Sequence, residues 1–90
     1  MTGIINEDVK NLDSDFLIYS SDFCPYCVAA KRFFESNEYK FTEIDLSKDF
    51  EKRNLIVQET GHRTVPVIFD LREDKPRFIG GFDDLMAEQR

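Results

Sequence analysis

The chain has 90 residues, a net charge of −6 and an apolar fraction of 41%, which is material for a single compact domain. Its 18 Asp and Glu against 12 Lys and Arg argue against a nucleic-acid partner, and no segment approaches the roughly 20 apolar residues of a membrane helix. The first 15 residues lack the basic and apolar regions of a secretory signal, so we expect a cytoplasmic protein without a membrane partner.

The first half of the chain predicts two helices that alternate with two strands. Apolar residues at helical spacing predict a short amphipathic helix over 4–13. The continuous apolar run 16–19 predicts a strand that is buried on both faces. Pro25 suits the first turn of a helix that runs to about Ser36, and residues 41–46 predict a second strand.

The second half predicts a helix, two strands and a final short helix. Ser47 is expected to cap a helix over 48–60, which Gly61 would end. Residues 65–69 and 77–79 predict strands on either side of a charged turn, and the last helix would start at Asp83 after a break at Gly80 and Gly81. We therefore expect an α/β fold in which helices flank a four-stranded mixed sheet. Residues 1–90 would form one domain, with a helical extension over 1–15 and the core over 16–90.

Cys24 and Cys27 form a Cys-Pro-Tyr-Cys motif where the first strand gives way to a helix. A bridge across so small a loop removes little entropy from the unfolded chain, so the pair is a poor structural staple. The unpaired N–H groups and the dipole of a helix N-terminus favour a thiolate, which is the nucleophile of disulfide exchange. We expect Cys24, at the exposed end, to attack, and the more buried Cys27 to resolve the mixed disulfide.

Metal binding is the main alternative for this cysteine pair. A structural zinc site usually takes four Cys or His ligands, whereas this chain has two Cys and the single His62. We therefore expect no metal. A cluster shared between two chains stays open as an alternative, although Pro25 stiffens the turn that would have to adapt.

Several short motifs, taken in order, resemble the glutaredoxin family. The Cys-Pro-Tyr-Cys motif is followed by Ala30-Lys31, by Thr60-Gly61 with Arg63-Thr64-Val65-Pro66, and by Gly80-Gly81-Phe82-Asp83-Asp84-Leu85. They cover about residues 16–86, and the two cysteines resemble the dithiol class of the family. The resemblance implies a thioredoxin-like fold and glutathione as the reducing co-substrate.

The resemblance also implies which residues bind glutathione. Val65 would precede a cis proline, Pro66, and pair through its backbone with the cysteinyl part of glutathione. The start of the last helix would hold the γ-glutamyl carboxylate, Asp83 the ammonium group and Arg53 the glycine carboxylate. The implied glutathione-binding residues are Tyr26, Arg53, Thr64, Val65, Pro66, Gly81, Phe82, Asp83 and Asp84.

Five of these residues also have a purely structural interpretation. Pro66 is compatible with the start of an edge strand, and Asp83 or Asp84 with a helix cap. Arg53 is compatible with a solvated helix face. Tyr26 is compatible with a surface aromatic residue that has no separate role.

Ser21 and Asp22, which lie shortly before Cys24, depart from the family pattern. Many family members have Lys three residues before the first Cys, and this chain has Ser21 there, followed by Asp22. The missing positive charge and the added negative charge predict a higher pKa of the Cys24 thiol, and weaker glutathione binding, than in a relative with that Lys. Lys31 or Arg63 would have to compensate.

The expected activity is glutathione-dependent reduction of protein disulfides and of glutathione mixed disulfides by thiol–disulfide exchange. Glutathionylated proteins and, by resemblance, ribonucleotide reductase are the expected partners, and we expect a monomer. Two alternatives stay open. One is a redoxin that thioredoxin reductase reduces, and the other is a module that binds an iron–sulfur cluster through Cys24 of two chains and two glutathiones.

Overall fold

A computed structural model describes residues 3–89 and has the element order that the sequence predicts. Residues 1, 2 and 90 lie outside the described residues. The predicted extension over 1–15 is therefore described from residue 3, and the predicted core over 16–90 is described to residue 89. The helices are Ile4–Val9 (α1), Pro25–Ser36 (α2), Phe50–Thr60 (α3) and Phe82–Glu88 (α4), and the strands are Phe16–Ser20 (β1), Phe41–Asp45 (β2), Val67–Asp70 (β3) and Arg77–Gly80 (β4). No helix within 3–89 is both long and apolar enough to cross a membrane.

The four strands form one mixed sheet in the order β2-β1-β3-β4. Strand β1 pairs with β2 in parallel and with β3 in antiparallel, and β3 pairs with β4 in antiparallel. Ile18, at the middle of β1, is paired with Glu43 on one side and Ile68 on the other. The predicted four-stranded mixed sheet with flanking helices is confirmed.

Strand β1 is buried along its whole length because helices cover both faces of the sheet. Its alternating side chains divide between two clusters of buried residues. Leu17 and Tyr19 join the cluster on the side of α1 and α3, whereas Phe16 and Ile18 join the cluster on the side of α2 and α4. The residues of β1 form a continuous apolar run because both faces of the strand are buried.

Helix α1 is shorter than predicted but is part of the fold. It ends at Val9 rather than near residue 13, because Asn11 adopts a left-handed conformation with φ 66° that turns the chain. Ile5 is fully buried against the core, and Leu12, beyond the helix, packs against the same cluster. The predicted N-terminal helix is therefore confirmed, with a corrected end.

The predicted cap of α3 is wrong. Asp49, not Ser47, caps this helix, and its carboxylate accepts a hydrogen bond from the backbone N–H of Lys52 at 3.1 Å. The Ser47 hydroxyl instead accepts a hydrogen bond from the N–H of Asp22 at 2.6 Å. Helix α3 consequently starts at Phe50, two residues later than predicted, and ends at Gly61 as predicted, with φ 74°.

Several other boundaries differ by one or two residues. Strand β2 ends at Asp45, and β4 continues to Gly80. Strand β3 starts at Val67 rather than at residue 65, since Pro66 has no N–H to give to a neighbouring strand. Helix α4 starts at Phe82 with Gly81 in the capping position, so neither Asp83 nor Asp84 is the N-cap residue.

Candidate functional site

Cys24 and Cys27 lie where β1 leads into α2. Cys24 is the N-cap residue of α2, Pro25 opens the helix as predicted, and the N–H of Cys27 donates a hydrogen bond to Cys24 Sγ at 3.1 Å. The two cysteines form a disulfide, with Cα atoms 5.2 Å apart. Cys24 is half-buried, whereas Cys27 is 2% exposed. Cys24 is therefore the more accessible of the two cysteines.

The loop before β3 lies directly against the cysteine pair. The Val65–Pro66 peptide bond is cis, as the resemblance implies, and Cys24 Sγ lies 3.8 Å from the carbonyl oxygen of Val65. Because β3 starts only at Val67, Val65 is outside the sheet hydrogen bonds. A residue at sequence distance 41 from Cys24 thus contributes backbone to the same site.

A groove of 410 Å³ runs along this loop and the start of α4, and we call it the Val65 groove. It has the volume of a small-ligand site. The residues that line it are Tyr26, His62, Thr64, Val65, Pro66, Gly81, Phe82, Asp83 and Asp84. Eight of the nine residues that were predicted to bind glutathione therefore come together here, from three separate segments of the chain.

Aromatic rings form one wall of the Val65 groove. The Tyr26 ring stacks on the Phe82 ring with centroids 6.1 Å apart, yet Tyr26 remains 61% exposed. Stacking fixes one ring face while the other stays available for a ligand. This arrangement places Tyr26 at the groove, and its expected role toward glutathione stays a prediction.

The two aspartates at the groove differ in what they contact. The Asp84 carboxylate accepts a hydrogen bond from the N–H of Gly81 at 2.9 Å, which fixes the start of α4. Asp83 is exposed at the groove. Asp84 therefore has a clear structural task, and Asp83 is the better placed of the two to meet a ligand's ammonium group.

Gly81 lies in the wall of the Val65 groove beside His62 and Pro66. A Cβ atom at this position would lie 3.4 Å from His62 Nε2 and 3.6 Å from the Pro66 carbonyl oxygen. Both are ordinary van der Waals distances, so the fold itself has room for an alanine here.

Arg53 lies beside the groove rather than in its wall. Its guanidinium Nη2 is 3.5 Å from the carbonyl oxygen of Arg63, which accepts a long hydrogen bond from it. Together with Thr64 and Val65 it borders a small neighbouring cavity. Arg53 is thus close to the Val65 loop but must reach outward to contact a ligand.

His62 is a groove residue that the sequence analysis missed as a ligand-binding candidate. Its Nε2 lies 3.3 Å from Thr64 Oγ1, and its ring packs edge-on against Phe78 with centroids 6.0 Å apart. The available signal was its position directly after Gly61, since a left-handed Gly at a helix end redirects the chain toward the Val65 loop.

The nearby cation Lys31 is engaged away from Cys24. Its Nζ lies 2.9 Å from Glu43 Oε2, and the same carboxylate accepts a hydrogen bond from Ser20 at 2.6 Å. Desolvation raises the pKa of Glu43, but these hydrogen bonds and the charge of Lys31 outweigh it and lower the pKa. Lys31 is therefore paired with Glu43 of β2, and its compensation for the missing lysine at position 21 stays a prediction.

Known glutaredoxins are similar to this chain in sequence. The family model described as Glutaredoxin matches residues 16–72. Rice Glutaredoxin-C6 is 36% identical over 74 residues, which cover 79% of this chain and 62% of the rice protein. Glutaredoxin 3 of Escherichia coli K12 is 37% identical over 70 residues, which cover 78% of this chain and 80% of its own length.

A solved structure gives the same result for the fold. The crystal structure of a buckwheat glutaredoxin–glutathione complex superposes with a TM-score of 0.76 at 28% identity, over 86% of this chain and 69% of that one. The predicted thioredoxin-like fold is thereby confirmed.

Proposed function

The chain belongs to the glutaredoxin family, and we propose that it is a glutathione-dependent thiol–disulfide oxidoreductase that acts through Cys24 and Cys27. The family and the cysteine pair support thiol–disulfide exchange as the reaction type. One observation carries the proposal further: the sulfur of half-buried Cys24 lies 3.8 Å from the carbonyl oxygen of Val65, and Val65 lines the 410 Å³ groove. A bound disulfide at this groove would lie next to the attacking atom.

For a glutathione mixed disulfide, Cys24 suffices for the chemistry. The N–H of Cys27 and the N-terminus of α2 stabilise the Cys24 thiolate. The thiolate attacks the glutathione sulfur, forms a Cys24–glutathione disulfide and releases the other thiolate, which takes a proton from solvent. A second glutathione thiolate then attacks that sulfur, which yields glutathione disulfide and restores the Cys24 thiolate.

For a protein disulfide, both cysteines take part. Cys24 forms a mixed disulfide with the substrate, and Cys27 then attacks Cys24 Sγ and releases the second substrate thiol. The substrate gains two electrons and two protons, and the protein is left with the Cys24–Cys27 disulfide that the structure contains. Two glutathione molecules reduce this disulfide again and leave as glutathione disulfide.

The groove supports glutathione as the co-substrate. In the proposal, the Val65 backbone pairs with the cysteinyl unit, Asp83 accepts from the ammonium group, and Arg53 binds the glycine carboxylate. Thr64 and Tyr26 would border the peptide. The presence of glutathione in the related buckwheat protein supports this choice of ligand.

The cellular setting is part of the proposal. We place the activity in the cytoplasm, where a glutathione pool keeps dithiols reduced. Protein disulfides and glutathionylated proteins would be the substrates, with ribonucleotide reductase as one candidate. A monomer is sufficient for this reaction, since the cysteine pair and the groove belong to one chain.

The test is turnover of the mixed disulfide of glutathione and cysteamine, coupled to glutathione reductase and NADPH. We expect activity in the wild type, loss of activity in Cys24→Ser, and retention of most activity in the matched variant Cys27→Ser. The proposal is wrong if the wild type is inactive here but reduces protein disulfides with thioredoxin reductase. A coloured iron–sulfur species in anaerobically purified, inactive protein would favour the cluster-binding alternative.

A further inference from the structure

Phe23 lies directly before Cys24 in the loop that follows β1. Its side chain is 100% exposed, and its backbone is left-handed with φ 54°. A β-carbon disfavours that conformation, and water disfavours an exposed phenyl ring, so folding alone would select Gly or Asn here. Neither feature contributes to the core. The ring is therefore positioned for contact with something outside the chain.

Phe50 is exposed at the first residue of helix α3. Phe23 lies in the loop that follows β1, and Phe50 lies directly after the loop that follows β2. Because these two strands are parallel, both loops leave the same end of the sheet. The hydrogen bond from the Asp22 N–H to Ser47 Oγ, 2.6 Å long, joins the two loops. Phe50 is 71% exposed although it starts a helix. We call Phe23 and Phe50 the phenylalanine rim.

Acidic residues flank Phe23 and Phe50 in the chain. Asp22, Asp45, Asp49 and Glu51 are exposed within five residues of one of the two rings, and Lys48 is the exposed cation among them. Four carboxylates against one ammonium group favour a partner segment that is basic as well as apolar. This charge pattern disfavours a second copy of the same acidic chain as the occupant.

We propose that the phenylalanine rim selects protein disulfides whose reactive cysteine is flanked by apolar side chains in a basic segment. This inference rests on the proposed function, because it concerns the substrates of the same Cys24. The Val65 groove lies along Tyr26 and Phe82, whereas the rim lies at the loop after β1 and at the start of α3. A substrate chain joined to Cys24 would place the neighbours of its cysteine within reach of Phe23, the residue adjacent to Cys24.

The covalent step is the first half of the exchange described above. The Cys24 thiolate forms a bond to one substrate sulfur while the substrate S–S bond breaks, and the leaving thiolate takes a proton from solvent. Cys27 completes the two-electron reduction. The rim takes no part in bond making; it stabilises the encounter in which the substrate sulfur reaches Cys24.

The test uses disulfide-linked dimers of three peptides: Lys-Leu-Cys-Leu-Lys, Lys-Ser-Cys-Ser-Lys and Glu-Leu-Cys-Leu-Glu. The reduced protein is mixed with each in single-turnover experiments without glutathione. Burial of leucine against the rim should make the first peptide react about tenfold faster than the second. The third should react more slowly than the first, and raising the salt concentration should reduce that difference.

A double variant and a matched control assign the preference to the rim. Phe23→Asn removes the ring and keeps a residue that tolerates the left-handed backbone, and Phe50→Gln keeps a good helix former. In the double variant we expect the preference for leucine over serine to fall to less than about twofold. Leu55→Ser is the matched control, since Leu55 is an exposed apolar residue of the same helix α3, and it should keep the wild-type preference.

The outcomes separate this inference from the proposed function. An unchanged leucine preference in the double variant overturns the inference, and a wild type without any preference does so too. Self-association of the wild type at micromolar concentration that the double variant loses also overturns it, in favour of a second copy. Turnover of the glutathione–cysteamine disulfide by the same wild-type preparation tests the proposed function independently.

Discussion

At the scale of single residues, the immediate surroundings of Cys24 set its reactivity. The N–H of Cys27 contacts the Cys24 sulfur of the disulfide at 3.1 Å, and the same contact would favour a thiolate after reduction. Asp22 is exposed two residues before Cys24, and Lys31 is paired with Glu43 at 2.9 Å. We therefore expect the backbone N–H and the helix N-terminus to stabilise the thiolate, and the expected effect of Ser21 and Asp22 likewise stays a prediction.

A lysine at position 21 should activate Cys24. In Ser21→Lys the added positive charge should lower the pKa of the Cys24 thiol, and solvent at this half-exposed position should keep the effect modest. The measurement is the pH dependence of alkylation by iodoacetamide in a Cys27→Ser background, where Cys24 is the reacting thiol. Ser36→Lys, at the far end of α2, adds the same charge as a control. Equal midpoints in the two variants would contradict the prediction.

At the scale of secondary-structure elements, α1 is fastened to α3 and β1 by specific polar contacts. The Glu59 carboxylate accepts hydrogen bonds from the N–H groups of Ile4 at 2.7 Å and Ile5 at 3.4 Å. Asp8 accepts from the Tyr19 hydroxyl at 2.5 Å and from Lys52 Nζ at 2.8 Å. Burial, and then the hydrogen bond to Asp8, raise the pKa of Tyr19, so its hydroxyl stays a donor.

Removal of the apolar contact of α1 should destabilise the whole protein. Ile5 is fully buried, so Ile5→Ala should lower the free energy of unfolding by about 2–4 kcal/mol. Deletion of residues 1–13 should lower the melting temperature further, because the polar contacts are lost as well. Glu7→Ala, at an exposed position of the same helix, serves as the control and should change stability by less than about 0.5 kcal/mol. An unchanged melting temperature in the deletion would show that α1 is dispensable.

At the scale of the whole molecule, one buried carboxylate joins elements that are distant in the chain. Asp70, at the end of β3, contacts the guanidinium groups of Arg72 at 2.9 Å and Arg77 at 3.0 Å. Arg77, on β4, also contacts Glu88 of α4 at 2.8 Å. Burial raises the pKa of Asp70, but the hydrogen bonds from Arg72 and Arg77 outweigh it and lower the pKa to about 2.

This network predicts a loss of stability in acid. The folded-state pKa of Asp70 lies below its ordinary value of 3.8, so its stabilisation is fully present above about pH 4 and is lost as the pH falls toward 2. The shift corresponds to about 2 kcal/mol, which solvent around the half-exposed arginines reduces to ~1–2 kcal/mol. Asp70→Asn should show this difference in urea unfolding at pH 6 and a smaller one at pH 3. The control is Asp74→Asn, on the exposed turn; a difference as large as that of Asp70→Asn would contradict the assignment.

Local sequence signals were sufficient for the element order and the cysteine pair. The apolar run 16–19, Pro25 and Gly61 each act within one turn or strand, and the structure confirms all three. The cap of α3 could not be predicted, because Ser47 and Asp49 are both good capping residues. Only the packing of the loop after β1 decides between them, since it engages the Ser47 hydroxyl through Asp22.

The sequence by itself therefore determined the α/β order, the buried central strand, the redox motif and, by resemblance, most residues of the groove. Only the tertiary structure decided that His62 joins the groove and that Arg53 lies beside it. It also decided that Lys31 pairs with Glu43, and that Phe23 and Phe50 lie at the same end of the sheet. The physical reason is the separation along the chain of the residues that interact. Helix, strand and turn preferences depend on neighbours a few residues away, whereas these four facts depend on contacts between segments that only the completed sheet brings together.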